Sequence, residues 1–186
     1  MATMRNLFAL AAGAMLVACG SDAPVDESAS KAAGMRSRIQ QMEDSLFNSG
    51  LFDQRNAQAL LDVYKAYATA LPLDSLAPEY LFRAAGVARS MRDPQQSIFL
   101  YDRIIRDYPS WNKLADTYYL KAFVIDADLD RLGEAEAAYM ELIRSFPDHA
   151  YASQARQAIE NLKYTDEELI ARFKAMAVDS NATAGQ

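Results

Sequence analysis

Three places in this chain carry residues that could do chemistry. The first is Cys19, the only cysteine, which stands at the end of an apolar run that follows Arg5. A thiol can act as a nucleophile, a metal ligand or an acylation site, but with no second cysteine it cannot close a disulfide within the chain. The second is His149, the only histidine, placed just after Pro147 and Asp148 where a helix would begin. It reads as an exposed or capping side chain. With one histidine, a Cys/His zinc site and a thiol protease lack partners. The chain also lacks a Gly-x-Ser-x-Gly elbow and a phosphate-cradling glycine loop. The third is the acidic run Asp126, Asp128, Asp130, which opens like a calcium loop. Its sixth position is Arg131 and its twelfth Ala137, so both the tight turn and the bidentate ligand are missing. The run reads as a solvated loop between helices. Carboxylates are numerous enough for a glycosidase pair, but nothing in their spacing favours one. The expectation is a non-catalytic protein with no cofactor and no metal.

The elements around these residues begin with the run ending at Ala18. It has one positive charge, then apolar residues, then small ones, and it is too short for a permanent membrane span. Residues 1–18 therefore read as a secretory signal peptide, to be left out of fold reasoning. Residues 20–34 are small and polar without periodicity, which predicts a flexible tether. Residues 179–186 are similar in composition and predict a disordered tail. The formal net charge of −6 argues against nucleic acid, which calls for a basic stripe. No polybasic patch draws the chain onto anionic lipid either.

Between the two ends lies an internal repeat. The segment Tyr64 to Pro72 can be laid on Tyr101 to Pro109, and both on Tyr139 to Pro147. In each copy a tyrosine is followed by apolar or small residues at i+3, i+4 and i+7, and then by proline. That spacing is one face of a helix, and the proline ends it by pushing the preceding residue out of the α region. The copies lie 37 and 38 residues apart, a period typical of a helical solenoid. Asp93-Pro94 predicts an N-cap with proline in the first turn, and Pro78 predicts the same for the helix before it. Gly50 and Gly133 mark the breaks in the other two copies. Thr165 and Glu168 form a capping-box pattern. The predicted helices are 35–48, 54–70, 78–91, 94–107, 112–127, 134–145, 149–163 and 166–177, with no strand.

This pattern resembles the tetratricopeptide repeat (TPR). The small position of that motif falls at Ser97 and Ala135, with Leu60 in the first copy. In the first helices, Leu81 and Ala85 match its apolar and small positions, and Tyr118 and Ala122 follow in the third unit. The Trp and the Leu-Gly pair of the consensus are missing. The resemblance implies an all-α, right-handed superhelix of about eight antiparallel helices over 35–178. Leu16-Val17-Ala18-Cys19 in turn resembles the lipobox of bacterial lipoproteins, whose signal is cut before the cysteine and whose cysteine carries acyl chains. Each buried methylene contributes ~0.8 kcal/mol, and two or more chains anchor stably. Together the two features are loosely similar to BamD-type lipoproteins of outer-membrane assembly, through endings such as Ile-Arg-Asp-Tyr-Pro.

The resemblance implies a lipid-anchored adaptor on the periplasmic face of a bacterial membrane, the outer one by that likeness. It would bind other proteins or peptides through a concave groove lined by first helices, with outer-membrane assembly components as one class of partner. Candidate contact residues are Phe82, Arg89 and Tyr119, two aromatic anchors and a polar partner of the kinds enriched at hot spots. Tyr101, Tyr139, Tyr108 and Phe146 belong to the core face instead. A small-molecule or glycan-binding lipoprotein, or a cell-wall enzyme, is the alternative, which a deep pocket with convergent polar groups would favour.

Overall fold

The computed structural model of the protein describes residues 27–48, 53–165, 167–172 and 174–175. Among these residues it is all-α, with no strand. The helices are α1 (Glu27–Asn48), α2 (Gln54–Ala70), α3 (Ala77–Ser90), α4 (Pro94–Asp107), α5 (Leu114–Ala127), α6 (Leu132–Ser145) and α7 (Ala150–Asn161). A further helical stretch covers 167–172. Residues 1–26, which include the expected signal and Cys19, lie outside the described residues, as do Gly50 and the tail at 179–186.

Local chemistry sets most of the boundaries. Asp53 caps α2 by accepting from the backbone N–H groups of Arg55 (2.8 Å) and Asn56 (3.1 Å). Asp93 caps α4 through Gln96 N–H at 2.9 Å, with Pro94 in the first turn. The capping box forms reciprocally: Thr165 N–H donates to Glu168 at 2.9 Å, and Glu168 N–H donates to Thr165 Oγ1 at 3.3 Å. These contacts satisfy orphan backbone donors at helix starts. The repeat endings are nearly superimposable. Leu71, Tyr108 and Phe146, each followed by proline, have φ of −135°, −132° and −138° and ψ of 60°, 56° and 61°. The following ring thus ends three helices in one conformation.

Two expectations are corrected. The first helix begins at Glu27, so residues 27–34, expected to be part of the tether, are helical, and Ala32 is buried. Alanines and a lysine favour helix there, and Glu27 suits the positive end of the helix dipole. Gly133 does not mark a break; it lies in the first turn of α6. The chain turns earlier, over 128–131, where Asp130 adopts φ 53°. Aspartate tolerates this left-handed conformation better than most residues.

Each helix packs on the next in sequence, and α5 also meets α7. Three of the repeat positions are buried in all three copies, while the residue before each proline is half-buried. Tyr64, Tyr101 and Tyr139 are buried with Tyr67, Ile104 and Leu142, and so are Leu60, Ser97 and Ala135 at the small position. The core has two clusters. One spans α1 to α5, the other α5 to α7. Helix α5 serves both: Leu114 and Val124 face the first, Ala115, Ala122 and Ile125 the second. This explains why α5 is apolar almost all round, as a helix covered on several sides must be.

Candidate binding cleft

The repeat tyrosines do more than fill the core, because their hydroxyls emerge at the first helices. Tyr64 donates to Glu43 of α1 at 2.5 Å. Tyr139 donates to Asp126 of α5 at 3.2 Å. Burial and the adjacent carboxylate both push these phenols above their ordinary range. In the middle unit the charged residues near Tyr101 are Arg89 and Asp128.

Two of these three charges, Glu43 and Arg89, meet a charge of opposite sign. Arg83 binds Glu43 at 2.8 Å and Glu79 at 3.0 Å, and Lys113 closes the row on Glu79 at 2.8 Å. Burial would raise the Glu79 carboxyl, but hydrogen bonds from Lys113 and Arg83 outweigh it and lower its pKa. Arg89 grips Asp128 with two bonds, 2.5 and 3.1 Å, and its guanidinium lies 4.7 Å from the Phe123 ring centroid. Side chains thus join α1 to α3 and α3 to α5.

The third unit differs. Here α5 meets α7 through a stack of Tyr119 on Tyr151, with centroids 4.6 Å apart and planes at 16°. Beside the stack is an open cleft of about 980 Å³, bounded by α5, α6, α7 and the segment after α7. Tyr119, Phe123, Asp126, Asp130 and Tyr139 line one side of it, and Gln157 and Lys163 the other. Burial raises the Asp126 carboxyl above its usual range, and the charge of Asp130 adds to this against the Tyr139 hydrogen bond. Among the described residues neither Asp126 nor Asp130 has an ion-pair partner within 4.0 Å. The expected acidic run is therefore split three ways, with Asp126 on Tyr139, Asp128 on Arg89 and Asp130 at the cleft edge.

The residues expected to carry binding fall in different settings. Cys19 lies outside the described residues. Phe82 is half-buried, edge-on to Tyr101 at 5.9 Å and Trp111 at 5.5 Å, rather than standing free in a groove. Arg89 is engaged with Asp128 and Phe123. Tyr119 lines the cleft, half-buried against Tyr151. Phe123 links Arg89 to Tyr119, whereas Phe82 belongs to a separate aromatic group. His149 caps α7, its Nδ1 accepting from Tyr151 N–H at 3.2 Å. The sequence reads Asp126 as part of a solvated acidic loop, second in line to the first-helix residues for binding, and the repeat offset marks it more sharply: it lies 37 residues after Arg89, just as Tyr119 lies 37 after Phe82.

Known protein families, characterised proteins and solved structures contain no match to this chain. Among the described residues, no helix is long and apolar enough to cross a membrane.

Proposed function

We propose that this protein is a lipid-anchored, non-catalytic adaptor of the TPR type that binds a segment of a partner protein along its first helices. Its helices would follow a right-handed superhelix, with α1, α3, α5 and α7 lining the concave side. The observation that supports this reading most is the chain of side-chain links from α1 to α3, α5 and α7, which ends in an open aromatic and polar cleft. Helix-repeat arrays leave such extended surfaces for peptides, because each unit buries its core against its neighbours. Anchoring through Cys19 raises the local concentration near membrane partners, so a weak groove suffices. The outer membrane and its assembly components are the setting implied by the sequence resemblance.

Two measurements test the reading. Intact mass of the membrane-extracted protein should show acyl chains on Cys19, and Cys19→Ser should remove them. An unmodified Cys19, or a mature terminus elsewhere, removes the anchor from the proposal. For binding, a photo-crosslinking side chain is placed at Gly86 on α3, where an added Cβ meets nothing within 4 Å. A control is placed at exposed Phe99 on α4. Specific protein adducts from Gly86 and not from Phe99 support the groove. Equal adducts from both, or none, count against it.

A further inference from the structure

Each repeat places a first-helix charge near its tyrosine, and two of the three are matched by a charge of opposite sign. Glu43 has Arg83 at 2.8 Å, and Arg89 has Asp128. The third, Asp126, occupies the position 37 residues after Arg89 with the charge reversed. Among the described residues no lysine or arginine pairs with it or with Asp130. The cations around the cleft are engaged elsewhere: Arg131 with Glu134 at 3.4 Å, Lys163 with Glu160 at 2.6 Å, Arg172 over the Tyr164 ring at 4.2 Å, and Arg89 with Asp128. Asp126 also bears the cost of partial burial and of its acidic neighbour, and a cation would relieve both.

We infer that this cleft takes a lysine or arginine side chain from a basic segment of a partner protein, with Asp126 and Asp130 as its counter-ions. The inference rests on the adaptor reading above. The molecule contains a template for the arrangement. Between α1 and α3, the Arg83 guanidinium binds Glu43 beside the Tyr64 hydroxyl and lies 5.7 Å from the Tyr80 ring. A partner's cation on Asp126 would give the third unit the same set of tyrosine, carboxylate and cation. An open cleft of about 980 Å³ exceeds what one ammonium or guanidinium fills, so the occupant is a chain segment rather than a free amine. Rim charges of this kind set partner choice and association rate as much as affinity.

The test uses the full chain and labelled synthetic peptides read by fluorescence anisotropy. One peptide alternates arginine with glycine and serine, and its twin carries glutamine in place of arginine. The double variant Asp126→Asn, Asp130→Asn removes both charges. Asparagine still accepts from Tyr139 and tolerates the positive φ of position 130, and a cooperative melt at or above the native midpoint, with unchanged helical circular dichroism, checks the fold. A charge-matched control, Asp44→Asn with Asp62→Asn, removes two carboxylates on α1 and α2. The arginine peptide should bind the native chain and the control alike, at least tenfold more tightly than the glutamine twin. The cleft variant should lose at least tenfold. No binding of the arginine peptide, equal binding by the cleft variant, or an equal loss in the control overturns the inference. So does competition by spermidine at concentrations comparable with the peptide. Panning an unbiased peptide library on the full chain separates the two claims. Binders without basic residues leave the adaptor standing and overturn this inference, whereas a library that yields no binders overturns the adaptor itself.

Discussion

The first and third units place the same tyrosine against an acidic residue of the first helix, yet the two sites are electrostatically different. At Tyr64 the carboxylate is Glu43, and Arg83 completes it and runs on to Glu79 and Lys113. At Tyr139 the carboxylate is Asp126, with a second acid nearby and no cation paired to it among the described residues. One site is closed and serves to join neighbouring helices. The other leaves negative charge facing an open cleft. A repeat can therefore hold its core register constant while its surface charges differ, joining neighbouring helices in one unit and facing an open cleft in another.

The largest effects should be the same at both ends, because they concern the shared core. Tyr64→Ala and Tyr139→Ala should each cost roughly 3–5 kcal/mol in urea unfolding, as truncation of a buried aromatic does. A cost below about 1 kcal/mol at either site would show that the tyrosine is not packed as described. Next comes Arg83→Ala, which takes the only paired cation from Glu43 among the described residues and leaves Glu79 with Lys113 alone. It should cost about 1–2 kcal/mol, moderated by the exposure of the guanidinium. A null result would remove the closed network from the comparison.

Removing only the hydroxyls separates the two sites more finely. Tyr139→Phe leaves half-buried Asp126, among the described residues, with neither donor nor cation and should cost about 1 kcal/mol. Tyr64→Phe should cost less, since Arg83 still satisfies Glu43. The reverse order in denaturant midpoints would contradict the difference between the sites.

Acid should act with opposite sign at the two ends. The Glu79 carboxyl is lowered in the folded chain, so its contribution is full above the ordinary carboxylate range and is lost as pH falls through its folded value. The Asp126 carboxyl is raised above 3.8, so its contribution is favourable only while protonated and is lost as pH rises through the folded value. Asp126→Asn should therefore stabilise the protein at neutral pH, and the gain should vanish in acid. A variant less stable than the native chain at pH 7 would show that Asp126 has a cation after all. Asp130→Asn, exposed and in a backbone conformation asparagine accepts, should stay within about ±0.5 kcal/mol.

Much of the helical framework was legible because its signals are local. The Tyr-to-Pro register, the Asp93-Pro94 start and the Thr165/Glu168 box act within a turn or two of chain. Helices α2 and α4 accordingly run over 54–70 and 94–107, as the pattern predicts. The start of α1 was less legible, since small residues such as Ala29 to Ala33 suit a linker or a helix and only tertiary burial of Ala32 separates the two. Gly133 misled for a related reason: glycine near a helix start costs little, and the turn was made by Asp130 instead.

The candidate site divides along the same line. By itself the sequence determined the all-α class, the three repeat units, the tyrosines of the core and the lone capping histidine, because periodicity and capping are properties of neighbouring residues. Only the tertiary structure decided which charges are matched. Arg83 meets Glu43 across 40 residues, Arg89 meets Asp128 across 39, and Tyr119 stacks on Tyr151 across the α5–α7 contact. Tertiary packing likewise turned Phe82 into the aromatic group of Tyr101 and Trp111 and left Asp126 without a cation among the described residues. Helical spacing states which face a residue occupies, whereas its partner depends on how successive units are rotated against one another, and that is set by the packing of the whole array.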